Sequence, residues 1–147
     1  MGSWKAKSYG KSALTADFIA PDLSEYLEKI QAAGNNIDDA CKDAVNAALP
    51  IAEKTMKAGA ERHQKTGAVV NAIEVTPAKQ EGNYIWGHVG IDLEKHPEAF
   101  EGVFQEYGDG HSLCFPDPFV RPAVDDNRKE FFAAERAVLK KKGVPID

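Results

Sequence analysis

The sequence predicts a single α+β domain, with helices ahead of a small antiparallel sheet, then a long connector and a C-terminal helix packed on the sheet. Three observations carry this expectation. Apolar residues recur with helical spacing from Ile37 to Met56, the period becomes two between Ile73 and Ile91, and helical start and stop signals return between Pro122 and Pro145. A length of 147 residues suits one domain, and 43% hydrophobic with 28% charged residues fits a packed core under a solvated surface.

Residues 1–14 read as a flexible basic arm ahead of a domain over 15–147, because Gly, Ser and Lys surround the isolated aromatics Trp4 and Tyr9. Such an arm either clasps a neighbouring subunit or is a frayed terminus. The residues after Met1 are basic and polar, unlike a secretory signal, and no apolar run is long enough to span a bilayer. Lys5, Lys7 and Lys11 precede the first acid at Asp17, so a total charge of −5 leaves −8 on the rest of the chain. An acidic body opposes a nucleic-acid-binding face on the folded part. Two cysteines, Cys41 and Cys114, do not make a disulfide framework and are read as reduced thiols.

The first helix is expected after a cap at Asp22 or Ser24, with Leu23, Leu27 and Ile30 on its apolar face and Gly34 as its stop. A longer helix follows the Asn35-Asn36 cap. Ile37, Cys41, Ala44, Val45, Ala48, Ala52 and Met56 form its stripe, Asp38 and Asp39 complement the dipole in its first turn, and Pro50 predicts a kink or a break near Leu49. Cys41 on that stripe reads as core filler. After Thr66-Gly67 a short apolar run leads into an alternating segment, a turn at Glu81-Gly82-Asn83, and a second alternating segment from Tyr84 to Ile91. In that hairpin Ile85, Val89 and Ile91 share one face, and Tyr84, Trp86 and His88 share the other. The second face either meets a partner or is covered by another layer of the same chain.

Residues 92–117 read as a long connector in which Phe100, Phe104 and Tyr107 dock in part on the core, with a short helix around Phe100 to Glu106. The last helix is expected as one element, with Pro122 at its first position, Asp125 and Asp126 in its first turn, and Lys140 to Lys142 with Gly143 at its end. Its buried stripe is Val124, Phe131, Phe132, Val138 and Leu139. Ahead of it, Pro118 and Pro122 bound a stiff lead-in in which Phe119 is buried and Arg121 pairs with a carboxylate, either Glu106 or one on a neighbour.

Catalytic motifs are weak. Glu106, Asp109, His111 and Cys114 are the best local set for a metal, yet their spacing matches none of the strong ligand patterns. Neither a phosphate-cradling loop nor a nucleophile elbow is present, so no catalytic residue and no cofactor is expected.

Taken in order, several segments resemble the tail-completion or head–tail joining (neck) family of long-tailed phages. They are Thr66-Gly67 before an apolar run, the hairpin, Phe104-Gln105-Glu106-Tyr107-Gly108, and Pro118-Phe119-Val120-Arg121-Pro122-Ala123 with an acidic helix start. The likeness covers residues 22–140, most specifically through the last segment. It departs at Gly108-Asp109-Gly110, where such proteins often carry Gly-Thr, and in a longer connector through Cys114 to Asp117. The resemblance implies a virion subunit, assembled from the host cytoplasm into a ring of identical copies between head connector or adaptor and tail tube or terminator. Genomic DNA would pass through without sequence-specific binding, and no membrane or cofactor is involved. The residues expected at interfaces are Trp4, Tyr84, Trp86, Glu106, Asp109, Phe119 and Arg121. The alternatives are a small metal-dependent enzyme using Glu106 to Cys114, and an adaptor outside any virion that binds through Tyr84 and Trp86.

Overall fold

The computed structural model describes residues 13–19, 37–111, 116–144 and 146. Trp4 with residues 1–12, the helix expected over 22–34, the Asn35-Asn36 cap, Cys114 and Pro145 lie outside the described residues. The fold is α+β. Strand β1 (Ala13–Ile19) is followed by helix α1 (Ile37–Glu61), the short helix α2 (Ala68–Asn71), and the hairpin strands β2 (Ile73–Glu81) and β3 (Tyr84–Asp92). A 3-10 turn (Pro97–Phe100) runs into α3 (Glu101–Tyr107), and α4 (Val120–Asp125) and α5 (Arg128–Lys141) complete the chain.

The sheet has the order β1-β3-β2 with both pairs antiparallel. Strand β1 takes in the last two residues assigned to the arm and was not expected. Its register runs from Ala13 opposite Asp92 to Ile19 opposite Trp86. Leu14, Ala16 and Phe18 alternating with Thr15 and Asp17 carried the strand signal, beside a lysine-rich flank that reads as arm.

The hairpin closes through Gly82-Asn83, where Gly82 adopts φ +61°, a conformation with no steric penalty for glycine. Thr76 opposes His88 and Lys79 opposes Trp86, so Pro77 and Ala78 bulge opposite Gly87. Proline suits that place because it has no N–H to give the ladder. The N–H of Ala78 instead donates to Asn46 Oδ1 on α1 at 2.7 Å, which fixes the bulge to the helix.

Helix α1 lies between the sheet and α5, so its apolar stripe is wide. Every residue expected on that stripe is buried, joined by Ala40, Leu49, Gly59 and Ala60. Burial pushes the Cys41 thiol up to about 11, as befits core filler rather than a nucleophile. From the sheet, Ile73, Ile85, Val89 and Ile91 meet α1. Of the two outcomes expected at Pro50, the break does not occur. The helix runs through residue 50, whose ring sits on the exposed side, while packing on both flanks outweighs one missing helical hydrogen bond.

The single last helix is corrected to two. Asp126 and Asn127 separate α4 from α5, and the Asn127 amide donates to Ala123 O at 2.9 Å and to Thr55 Oγ1 of α1 at 2.7 Å. That side chain takes over a carbonyl that a continuous helix would satisfy from its backbone. Pro122 is therefore the third residue of α4 rather than the first, and Asp125 ends that helix instead of opening one. The break also resets the buried face of α5 to Phe131, Glu135 and Leu139, leaving Phe132 42% exposed where burial was expected. Gly143 at φ 80° closes α5, with Val144 N donating to Leu139 O at 3.0 Å.

The short helix expected in the connector is present, but its aromatics stay largely at the surface. Phe100, Phe104 and Tyr107 are 53%, 42% and 62% exposed, and the opposite face of Ala99, Gly102, Gln105 and Glu106 is buried instead. Two of those four are polar, and their hydrogen bonds tie this helix to the rest of the fold. Among the described residues no helix is long and apolar enough to cross a membrane.

Candidate functional site: a buried carboxylate clasp

The feature that organises this end of the molecule is the Glu106 side chain, 1% exposed. Helix α3 holds it in place because its neighbour Gln105 is itself anchored. The Gln105 amide donates to Gly59 O at 2.8 Å, and the Gln105 carbonyl accepts from Asp117 N at 2.8 Å. From there Glu106 Oε2 accepts from the N–H groups of Phe119 at 2.8 Å and Val120 at 2.9 Å. Its Oε1 accepts from Arg121 N at 3.3 Å and Arg121 Nε at 3.1 Å. Arg121 Nη2 reaches the Glu106 carbonyl at 3.4 Å.

This geometry answers where the first donors of α4 go. A helix leaves its first four N–H groups without intrahelical partners. Here the three from Phe119, Val120 and Arg121 converge on one carboxylate, and the fourth position is Pro122, which has no N–H. The negative charge also sits at the positive end of the helix dipole. Burial of a carboxylate is tolerable only when its lone pairs are filled, and two donors on each oxygen fill them.

A second pair of groups straps the lead-in to α1. Arg62 donates to Asp117 through Nε and Nη2, both at 2.8 Å, and through Nη2 to Pro118 O at 3.1 Å. His63 Nε2 lies 2.8 Å from the same carboxylate. The Arg62 fork holds Asp117 well below its usual 3.8, at about 2, with His63 adding to the effect. A depressed acid stabilises the fold fully above its ordinary value and loses that contribution as pH falls toward the folded value. The strap is therefore expected to open between about pH 4 and pH 2. The protection of the Asp117 and Phe119 amides, measured relative to the intrinsic exchange rate at each pH, should fall over that range in the wild type, and in Asp117→Asn it should already be low at neutral pH with no acid step.

Beneath the strap, α1 touches the lead-in directly. A Cβ placed on Gly59 would lie 2.7 Å from Phe119 Cβ and 3.2 Å from Phe119 Cα. Backbone, not a flexible side-chain tip, would have to yield. Gly59→Ala is expected to lower stability by about 1–3 kcal/mol, read as a lower denaturation midpoint with unchanged slope.

The structure brings together three of the residues singled out from sequence, namely Glu106, Phe119 and Arg121. Phe119 is 1% exposed and Arg121 pairs with Glu106 within the chain, so the stiff lead-in is built as expected. Tyr84 and Trp86 lie elsewhere, on the sheet face turned away from α1. Tyr84 is 63% exposed, while Trp86 is half-buried between the His88 ring, 4.9 Å away edge to face, and Lys79 Nζ, 5.9 Å from its centroid. Asp109 does not join Glu106. It accepts from His111 N at 2.8 Å in a local turn. Among the described residues no group of three His, Cys, Asp or Glu side chains could hold a metal ion. Arg62, His63, Gln105 and Asp117 were not foreseen, since the Arg62–Asp117 partners stand 55 residues apart with no local signal. Comparison of the chain with protein-family models, with curated proteins and with solved structures finds no match.

Proposed function

We propose that this chain is a structural subunit of a tailed-phage particle, acting in tail completion or head–tail joining at the neck. The observation that supports this reading most is the clasp. The two segments that most resemble the neck family, Phe104 to Gly108 and Pro118 to Ala123, meet through Glu106 and the N–H groups of Phe119, Val120 and Arg121. A sequence likeness in separate segments thus corresponds to one physical device, a fixed angle between α3 and α4. In this role the chain works by shape and rigidity and carries no catalytic group. Its partners are further copies of itself, the head connector or adaptor, and the tail tube or terminator, with genomic DNA passing by without being read.

The Glu106 to Cys114 metal reading loses its central ligand, because the carboxylate is filled by four donors. An adaptor role outside the virion keeps some support from the exposed Tyr84 beside Trp86 and Lys79. Mass spectrometry of gradient-purified particles separates the two. Stoichiometric recovery of this chain with full particles is expected for the neck subunit, and its absence from them refutes that role.

A further inference from the structure

Two exposed surfaces stand outside the clasp. One is a face of the 3-10 turn and α3, where Phe100, Phe104 and Tyr107 stand at helical spacing with 53%, 42% and 62% exposure. The Phe100 and Phe104 rings pack edge to face at 5.5 Å, and exposed Glu98 and Glu101 flank them, Glu98 also meeting His96 at 3.1 Å. The other is the outer face of α5, where Lys129, Phe132, Arg136 and Lys140 recur at steps of three and four and are all exposed. The cations at its flanks are engaged, Arg128 with Asp125 at 3.0 Å and Lys142 with Asp43 at 2.8 Å. Among the described residues, Lys129, Arg136 and Lys140 have no carboxylate within ion-pair distance. One surface is aromatic and acidic, the other basic around a single phenylalanine.

Within one chain these surfaces are kept apart. Gln105 ties α3 to Gly59, near the C-terminal end of α1, whereas α5 starts beside Thr55 and runs back to Lys142 beside Asp43. Gly59 and Asp43 are roughly 24 Å apart along a helix rising about 1.5 Å per residue. Their chemistry is nonetheless complementary. Guanidinium and ammonium groups are attracted to aromatic faces, and more so beside carboxylates.

We propose that the Glu98–Tyr107 face of one copy receives the Lys129–Lys140 face of a second copy, head to tail. This names the self-contact of the neck subunit and rests on that reading for its place in a particle. A second copy is the occupant that explains both surfaces at once, since a phosphate polymer would account for the cations but leave the aromatic, acidic face without a partner. A contact between two different faces leaves one of each open at the ends, so it propagates, into a ring where its rotation closes and into a filament where it does not.

Charge-swap pairs test this in sedimentation velocity on the full chain at low and high salt. The wild type should associate at low salt, with the dissociation constant rising about tenfold or more at high salt. Arg136→Glu with Lys140→Glu should remain monomeric, as should Glu98→Lys with Glu101→Lys, each checked for folding by circular dichroism. Mixing the two variants should restore association, because each then offers the face the other lacks. A wild type monomeric under all conditions, or variants that mix without associating, overturns the interface. So does a monomeric wild type that binds duplex DNA through Arg136 and Lys140. Particle content separates the two ideas: monomeric swap variants that still enter particles refute this contact and leave the neck role standing, whereas restored association by a chain absent from particles refutes the neck role alone.

Discussion

Glu106→Ala should lower the unfolding free energy by about 3–5 kcal/mol, the range for stranding partners of a buried charge. Removing the carboxylate leaves the N–H groups of Phe119, Val120 and Arg121 without an acceptor, and the Arg121 guanidinium without its counter-charge. Each stranded buried donor alone costs about 1–3 kcal/mol, but the vacated space lets water reach some of them, so the terms do not add in full. Glu106→Gln separates charge from size. One amide oxygen still accepts, but the amide NH2 then faces N–H groups, so a loss nearer to that of alanine is expected. Domains of this kind are stable by only about 5–15 kcal/mol, which makes either change large. A loss for Glu106→Ala under about 1 kcal/mol in urea titration would show that the carboxylate does not organise this end of the fold.

Phe119→Ala is the second large effect, at about 3–5 kcal/mol, because a fully enclosed ring is replaced by a cavity. The Phe119 Cα and Cβ lie against Gly59, where α1 already comes too close to admit a further Cβ, so the backbone there has no room to shift and fill the cavity. Phe119 also donates its N–H to Glu106, so the two sites are coupled. The double variant should lose less than the two single losses together, by about 0.5–3 kcal/mol. Phe100→Ala, on an exposed ring 53% accessible, should stay within about 0.5 kcal/mol and serves as the control.

Sequence reached furthest where a signal was local or strictly periodic. The α1 stripe, the Gly82-Asn83 hairpin and the Gly143 stop follow from spacing and from backbone preferences of single residues. The buried Phe119 and the Arg121–Glu106 pair were legible for a different reason, since two prolines restrict the lead-in and a fixed guanidinium needs a nearby carboxylate. What remained hidden depends on partners far along the chain. The break between α4 and α5 is set by Asn127 reaching Thr55, 72 residues away. The exposed aromatics of α3 follow from Gln105 and Glu106 claiming the buried face, which hydropathy alone assigns to Phe100 and Phe104. That Glu106 would serve three backbone donors as well as Arg121 could not be read from composition, because the donors belong to a helix start that sequence placed two residues later.

The most direct test of the account is electron cryo-microscopy of purified particles at a resolution that distinguishes side chains. Density for this chain is expected in a ring between head connector and tail tube, with Glu106 inside the turn formed by Phe119, Val120 and Arg121. Density at the neck wholly explained by other chains, with none for this one, would contradict it.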